Sequence, residues 1–175
     1  MSTDERAQDD DRARARDVVL RKLAASPRSR AELERALAEK DVAPHVAAEV
    51  LDRYEELRLV DDQAYADVLV RSQHATKGLA RRGLAHELRR RGVGDAEAAQ
   101  ALEQLDPASE REAARALVAK RLPATARLEP AVRLRRLTGL LARKGYDGAT
   151  AMVVVREALA AEGAELDDDP PVLDD

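Results

Sequence analysis

RRGLAHELRRRGV, running from Arg81 to Val93, decides the fold. Leu84 and Leu88 stand four residues apart and so share one face of a helix, arginines fill its last turn, and Gly92 sits where a helix closes through a left-handed residue. Val93, the next residue, is apolar and able to fold back onto the helix it leaves. The same spacing occurs twice more: Leu33 and Leu37 lead to Lys40, Asp41 and Val42, and Leu137 and Leu141 lead to Lys144, Gly145 and Tyr146. The three copies start 51 and 53 residues apart.

Each copy reads as the middle helix of a triplet. In the first, Val18, Val19 and Leu23 form an amphipathic helix, and Pro27 breaks it. Ser29 with Glu32 then makes a capping box that opens the helix of Leu33 and Leu37. Pro44 suits the first turn of a third helix, whose stripe is Val46, Val50, Leu51 and Leu57. The second copy opens with Asp61 or Asp62 as cap of a helix burying Tyr65, Val68 and Leu69. It closes with a helix from Gly94 or Asp95 that carries Ala98, Ala101, Leu102 and Leu105. Pro107 is read as the stop of that helix, with Ser109 and Glu112 as a second capping box. The third copy turns Leu117 and Val118 inward and stops at Pro123. Leu134, Leu137 and Leu141 share the face of its second helix, and Ala151, Val154, Val155 and Leu159 that of its third. Val153 to Val155 lies inside this helical pattern, and no run shows sustained strand alternation.

The expected class is all-α: three tandem three-helix repeats forming an elongated, curved, solenoid-like molecule. The boundaries are 15–59, 60–106 and 107–161. Residues 1–14 are expected to be a disordered charged extension and 162–175 a disordered acidic tail, since neither has much to bury. Composition agrees. Of the 45% of the chain that is hydrophobic, 35 residues are alanine and three are aromatic, so the core is thin and made of leucine and valine. There is no cysteine, which excludes disulfides and thiol catalysis. No stretch has the apolar length of a membrane span, and Met1 to Asp17 is too charged for a secretory signal, so a cytoplasmic protein without membrane contact is expected.

No catalytic pattern emerges. There is no phosphate-cradling glycine loop, and HELRR at His86 lacks the second histidine of a zinc helix. His45 and His74 read as solvated. Asp61 and Asp62 suit helix capping better than metal ligation. No catalytic residue, metal or cofactor is therefore expected. Tyr54, Tyr65 and Tyr146, the only aromatics, fall on apolar stripes or helix exits and read as core anchors.

Charge is more informative. The net of −4 hides a strong polarity: Arg71 to Arg91 holds seven basic residues against one acidic, Arg133 to Lys144 five against none, and Glu162 to Asp175 seven acidic and no basic. Arg82, His86, Arg89 and Arg90 recur at i, i+4, i+7 and i+8, one stripe away from Leu84 and Leu88. With Lys77, Arg81 and Arg91, and with Arg133, Arg135, Arg136, Arg143 and Lys144 of the third repeat, they suggest a surface for an anionic partner. That partner is either nucleic-acid phosphate or an acidic protein groove. Interleaved aromatics are missing, so base stacking is not supported.

LRLVDDQAYADVLVRS followed by RRGLAHELRRRGV resembles the RecX family, regulators of the RecA recombinase, whose pattern is a leucine-rich turn into two aspartates, an aromatic, then VRS and L..EL..KG. SRAELERAL with its Lys40-Asp41-Val42 exit resembles the family's first repeat, and LLARKGYD its third. The resemblance covers about residues 15 to 160. It implies a non-enzymatic, curved, three-repeat protein lying in the groove of the RecA filament on DNA, where it restrains ATP hydrolysis, strand exchange and co-protease activity in recombination, repair and the SOS response. A monomer is expected. Asp41 stands where the family commonly has glycine, and Val42 and Val93 replace a frequent aromatic. A general DNA-binding module acting without RecA is the alternative reading.

Overall fold

The computed structural model describes residues 3–163, with side chains from residue 8 onward. Its regular structure is helical throughout, and no strand occurs among the described residues. The helices are α1 (Thr3–Ala25), α2 (Arg30–Ala38), α3 (Pro44–Glu56), α4 (Asp62–Lys77), α5 (Arg81–Arg91), α6 (Asp95–Leu102), α7 (Pro107–Arg121), α8 (Pro130–Arg143) and α9 (Gly148–Ala161). A 3₁₀ turn at Leu122–Thr125 follows α7. Taken in threes they are the expected triplets. No described helix is long and apolar enough to cross a membrane.

Short polar side chains start the helices. Ser29 Oγ accepts the Glu32 N–H at 3.2 Å while Glu32 accepts the Ser29 N–H at 3.1 Å, the reciprocal capping box. Pro44 is the first residue of α3, Asp61 accepts the Ala64 N–H at 2.9 Å, and Asp147 accepts the Thr150 N–H at 2.9 Å. At α7 the structure corrects the sequence reading. Asp106 is the cap, accepting the Ser109 N–H at 3.0 Å, and Pro107 is the first helical residue. A proline there lacks only an N–H that would find no helical partner, and α6 has already ended at Leu102, so nothing is left for Pro107 to stop.

The three exits share one geometry. Val42, Val93 and Tyr146 donate their N–H groups to Leu37, Leu88 and Leu141 at 3.2, 3.1 and 3.1 Å, and the residue before each donates to the carbonyl three residues back. That preceding residue is left-handed in all three: Asp41 at φ 54°, Gly92 at 79° and Gly145 at 91°. This is the Schellman closure, and the valine or tyrosine after it folds inward, buried in every copy.

Two of these exits are joined to the start of an earlier helix. The Arg91 carbonyl accepts from Ser29 Oγ, the cap of α2, at 2.6 Å. The Lys144 carbonyl accepts from the N–H of Ala80, just before α5, at 2.9 Å. Both junctions are tight. A Cβ added to Gly92 would lie 2.4 Å from the Ala31 Cβ, and one added to Gly145 would lie 2.0 Å from the Gly83 nitrogen. Glycine is thus required twice over, for its φ and for the close approach. Asp41, at the equivalent place in the first repeat, is exposed.

Leucine and valine fill the cores. Val18, Val19, Leu33, Leu37, Val42, Val46, Val50, Leu51, Tyr54 and Val60 form one cluster; Val118, Leu137, Leu141, Tyr146, Val154, Val155 and Leu159 form another with alanines between them. Tyr65 is buried too, so all three tyrosines are anchors. Val68 is not inward but 47% exposed, because Tyr65, Ala66, Leu69 and Val70 define a face that turns it out. Leu57 is 50% exposed, since α3 ends at Glu56, Arg58 turns left-handed at φ 57°, and Val60 folds back to fill the gap.

Residues 3–14, expected to be disordered, belong to α1. Local ion pairs support them: Arg12 with Asp9 and Arg14 with Asp11 at i,i+3 spacing, and Arg12 with Glu49 of α3 at 2.9 Å. The buried Ala15, Val18 and Val19 anchor the helix. Beyond Gly163 the acidic tail lies outside the described residues.

The chain forms two compact units, Met1–Ser72 with Ala85–Gln104, and Gln73–Leu84 with Leu105–Asp175. The middle repeat is therefore shared out, the end of α4 and start of α5 belonging with the third repeat.

Candidate functional site

Eleven basic residues were singled out by sequence, and they separate by environment. Arg91 lies half-buried and is engaged from three sides: Glu32 at 2.9 Å, Glu87 at 3.0 Å and the Tyr65 hydroxyl at 3.4 Å. It ties the capping-box glutamate of the first repeat to α5. Arg90 donates twice to Glu87, at 2.7 and 2.9 Å. Hydrogen bonds from Arg90, and then from Arg91, hold the Glu87 carboxyl down at about 2 against the opposing effect of burial. Glu32 also lies below its ordinary value: burial would raise it, but the Ser29 N–H and Arg91 outweigh that.

Arg133, expected on the surface, is buried at 6% exposure. Its guanidinium donates to Thr125 Oγ1 at 3.2 Å and pairs with Glu162, so it closes the third repeat and faces no partner. Lys144, which caps the end of α8, is half-buried and donates through Nζ to the Lys77 carbonyl at 2.9 Å. Arg91, Arg133 and Lys144 are therefore structural, because each lies where a carbonyl or carboxylate of another helix needs a donor.

The rest are available. Arg81 is exposed; its guanidinium donates to the Leu105 carbonyl at 3.3 Å and its backbone N–H to Glu110 at 2.7 Å. Lys77, Arg82, Arg89, Arg135, Arg136 and Arg143 are exposed, and none has an ion pair among the described residues. Along α5, Arg82, His86 and Arg89 are exposed, and Arg90 is partly neutralised by Glu87.

The two units differ in charge. Over the described residues the first carries 16 basic and 21 acidic side chains, a net of −5, and the second 14 and 7, a net of +7. In the first, many arginines are spent on internal pairs; Arg30 alone meets Glu34, Asp52 and Glu55 at 3.0, 2.7 and 2.5 Å. Sequence reading missed Arg111, which with Arg81, Arg82, Glu110 and Asp147 lines a cleft of about 280 Å³ in the second unit. No sequence spacing links Arg111 to α5, since only the packing of α7 brings them together.

Other candidates take structural parts. Asp62 accepts the Arg30 N–H at 2.8 Å and so closes the start of α2, while Asp61 caps α4. Burial raises the Asp62 pKa, with its hydrogen bond opposing. His74 is not simply solvated: its ring nitrogens meet the Leu79 carbonyl at 2.9 Å and Ser109 Oγ at 3.2 Å, fastening the end of α4 to the start of α7. His45 and His86 are exposed.

Comparison with known proteins agrees with this architecture. Family models for the first, second and third three-helix domains of RecX match residues 15–53, 61–102 and 109–155. The Regulatory protein RecX of Thermobifida fusca is 48% identical over 155 residues, covering 89% of this chain and 84% of that one. That of Streptomyces coelicolor is 48% identical over 153 residues, covering 87% and 81%. Among solved structures, RecX from Lactobacillus salivarius superposes with a TM-score of 0.76 at 22% identity, over 85% of this chain and 96% of that one. A second, a regulatory protein RecX, gives 0.77 at 24%, over 85% and 73%. Three matching domains in order, joined by the exits and junctions described above, place this chain in the RecX family.

Proposed function

We propose that this chain is a non-enzymatic, cytoplasmic, monomeric regulator that binds the RecA filament on DNA and mainly inhibits RecA's ATPase, strand exchange and co-protease activity. The observation that supports the reading most directly is the set of exposed guanidinium groups at Arg82, Arg89, Arg135, Arg136 and Arg143, without an ion pair among the described residues, on a RecX-family framework. A filament groove repeats protein and phosphate surfaces, and a ligand that prefers one filament state opposes the change to the other.

The test is a titration of DNA-dependent ATP hydrolysis by the cognate RecA. Inhibition that saturates is expected; none at low or moderate salt sinks the proposal. Replacing Arg82 and Arg89 by glutamate should weaken inhibition while leaving the fold intact, because both are exposed. Arg90 is better spared, as a glutamate there would face Glu87 and disturb the Arg91 network. The net +7 over the described residues of the second unit also suits a DNA-binding module that acts without RecA. That alternative predicts tight binding to naked DNA and no effect on RecA beyond competition for DNA; binding only in the presence of RecA rejects it.

A further inference from the structure

Gly139 stands in the middle of α8, where glycine is the poorest helix former after proline. The fold does not ask for it. A Cβ at Gly83, Gly92 or Gly145 would strike another part of the chain at 2.0 to 2.5 Å, whereas one at Gly139 would meet a single atom, Arg143 Nη1, at 3.4 Å. That atom is the far end of a flexible side chain, so alanine would fit. Gly139 is also not at a helix end or in a left-handed conformation, as Gly148 and Gly163 respectively are.

Its neighbours on the helix surface are informative. The residues at i−4, i−3 and i+4 are Arg135, Arg136 and Arg143, and at i+3 is Ala142; all four are exposed. The three guanidinium groups have no ion pair among the described residues, and they span about 12 Å of helix at 1.5 Å per residue. Thr138, beside them, turns its hydroxyl back to the Leu134 carbonyl at 2.8 Å and does not compete for a ligand. The result is a half-buried stretch of backbone without a side chain of its own, over which the flexible Arg143 guanidinium lies, with Arg135 and Arg136 beside it.

We propose that this face of α8 is the phosphate-contacting surface of the protein, with Gly139 admitting a nucleic-acid backbone against the helix and Arg135, Arg136 and Arg143 holding its phosphates. The inference deepens the reading above and rests on its assignment of the exposed arginines to an anionic partner. A nucleic acid fits this face better than an acidic protein. Protein interfaces centre arginines among large apolar or aromatic side chains, and the exposed large hydrophobics among the described residues are Leu20, Leu57, Leu59 and Val68 in the first unit and Val153 on α9, so the arginines of α8 have no such companions on their own helix. Over its described residues the unit carries a net +7, which favours a polyanion, although the six carboxylates of 164–175 bring the whole unit to +1.

The test uses the full chain without RecA and measures fluorescence anisotropy of labelled single-stranded and duplex oligonucleotides at low salt, the two arms showing which form is held. Gly139→Ala should raise the melting temperature yet weaken binding roughly threefold, and Gly139→Leu should weaken it further, since each side chain holds the backbone off the helix. Replacing Arg135, Arg136 and Arg143 by glutamate should weaken it more than about tenfold and flatten its dependence on salt. Affinity unchanged in Gly139→Ala, or no binding by the unaltered chain, overturns the proposal. So does a Gly139→Ala loss seen only toward the RecA filament and not toward naked oligonucleotides, which would assign the face to protein. The ATPase titration reads the regulatory role separately: its failure, with the Gly139 effect intact, removes the RecA reading and leaves this surface standing.

Discussion

Gly92 and Gly145 show how one residue can satisfy two independent demands. Each needs a positive φ, and each lies where another segment comes within van der Waals contact of its Cα. Gly145→Ala should therefore cost more than the roughly 1–2 kcal/mol of a left-handed alanine, because the Gly83 backbone has nowhere to go. Asp41→Gly, where only φ is at issue, should stabilise by up to about 1 kcal/mol. Urea unfolding of the two variants checks this, and equal and small effects would remove the close-approach argument. Glu87 gives a pH prediction. Its pKa in the fold is about 2 against an ordinary 4.5, so its contribution is present above the ordinary value and is lost as pH falls from there toward 2. Glu87→Gln should cost about 1 kcal/mol at neutral pH, after allowance for solvent screening, and should flatten the loss of stability below pH 4.5. Acid unfolding midpoints of the two proteins measure it.

At the scale of elements, the helix exits were readable from sequence because a fixed spacing of leucines, a left-handed residue and an apolar return occurs three times. The starts were less so. Asp106 and Ser109 are both acceptable caps, and only the burial of α7 decides between them. Asp106→Ala should cost about 1 kcal/mol in thermal or urea unfolding and Ser109→Ala less, the reverse of the order a capping box at Ser109 would give. Val68 and Leu57 were misassigned for a related reason: on an alanine-rich helix the apolar stripe is weakly marked, and Ala66 takes a buried place that looks unimportant in the sequence. α1 was missed over residues 3–14 because its support is a ladder of local ion pairs and a contact to Glu49, which hydrophobic periodicity cannot detect.

For the whole molecule, charge clustering along the chain was legible, and its division between residues that hold the fold and residues that face outward was not. Arg133 and Arg136 look alike in sequence; one is buried against Thr125 and Glu162 and the other is exposed. That difference depends on which side of α8 meets α9. The tail adds a further term. Removing Ala164–Asp175 deletes six carboxylates and no basic residue, taking the net charge from −4 to +2, and it spares the Glu162 partner of Arg133. If the tail competes with phosphates for the basic unit, the truncated chain should bind DNA or the filament more tightly, most of all at low salt. Equal affinity in a salt series would dismiss the competition.

Asp41 has one more consequence, concerning contacts between copies of the chain. The junction of a helix exit with the start of an earlier helix is used twice within the molecule, at Gly92 and at Gly145. Made between separate copies, such a contact would be head-to-tail, closing into a ring or growing into a filament according to its rotation. The exit of the first repeat is exposed at Lys40 and Asp41. An aspartate there presents a side chain and a charge where the internal junctions at Gly92 and Gly145 admit only hydrogen, so the first exit is not shaped to make the same junction.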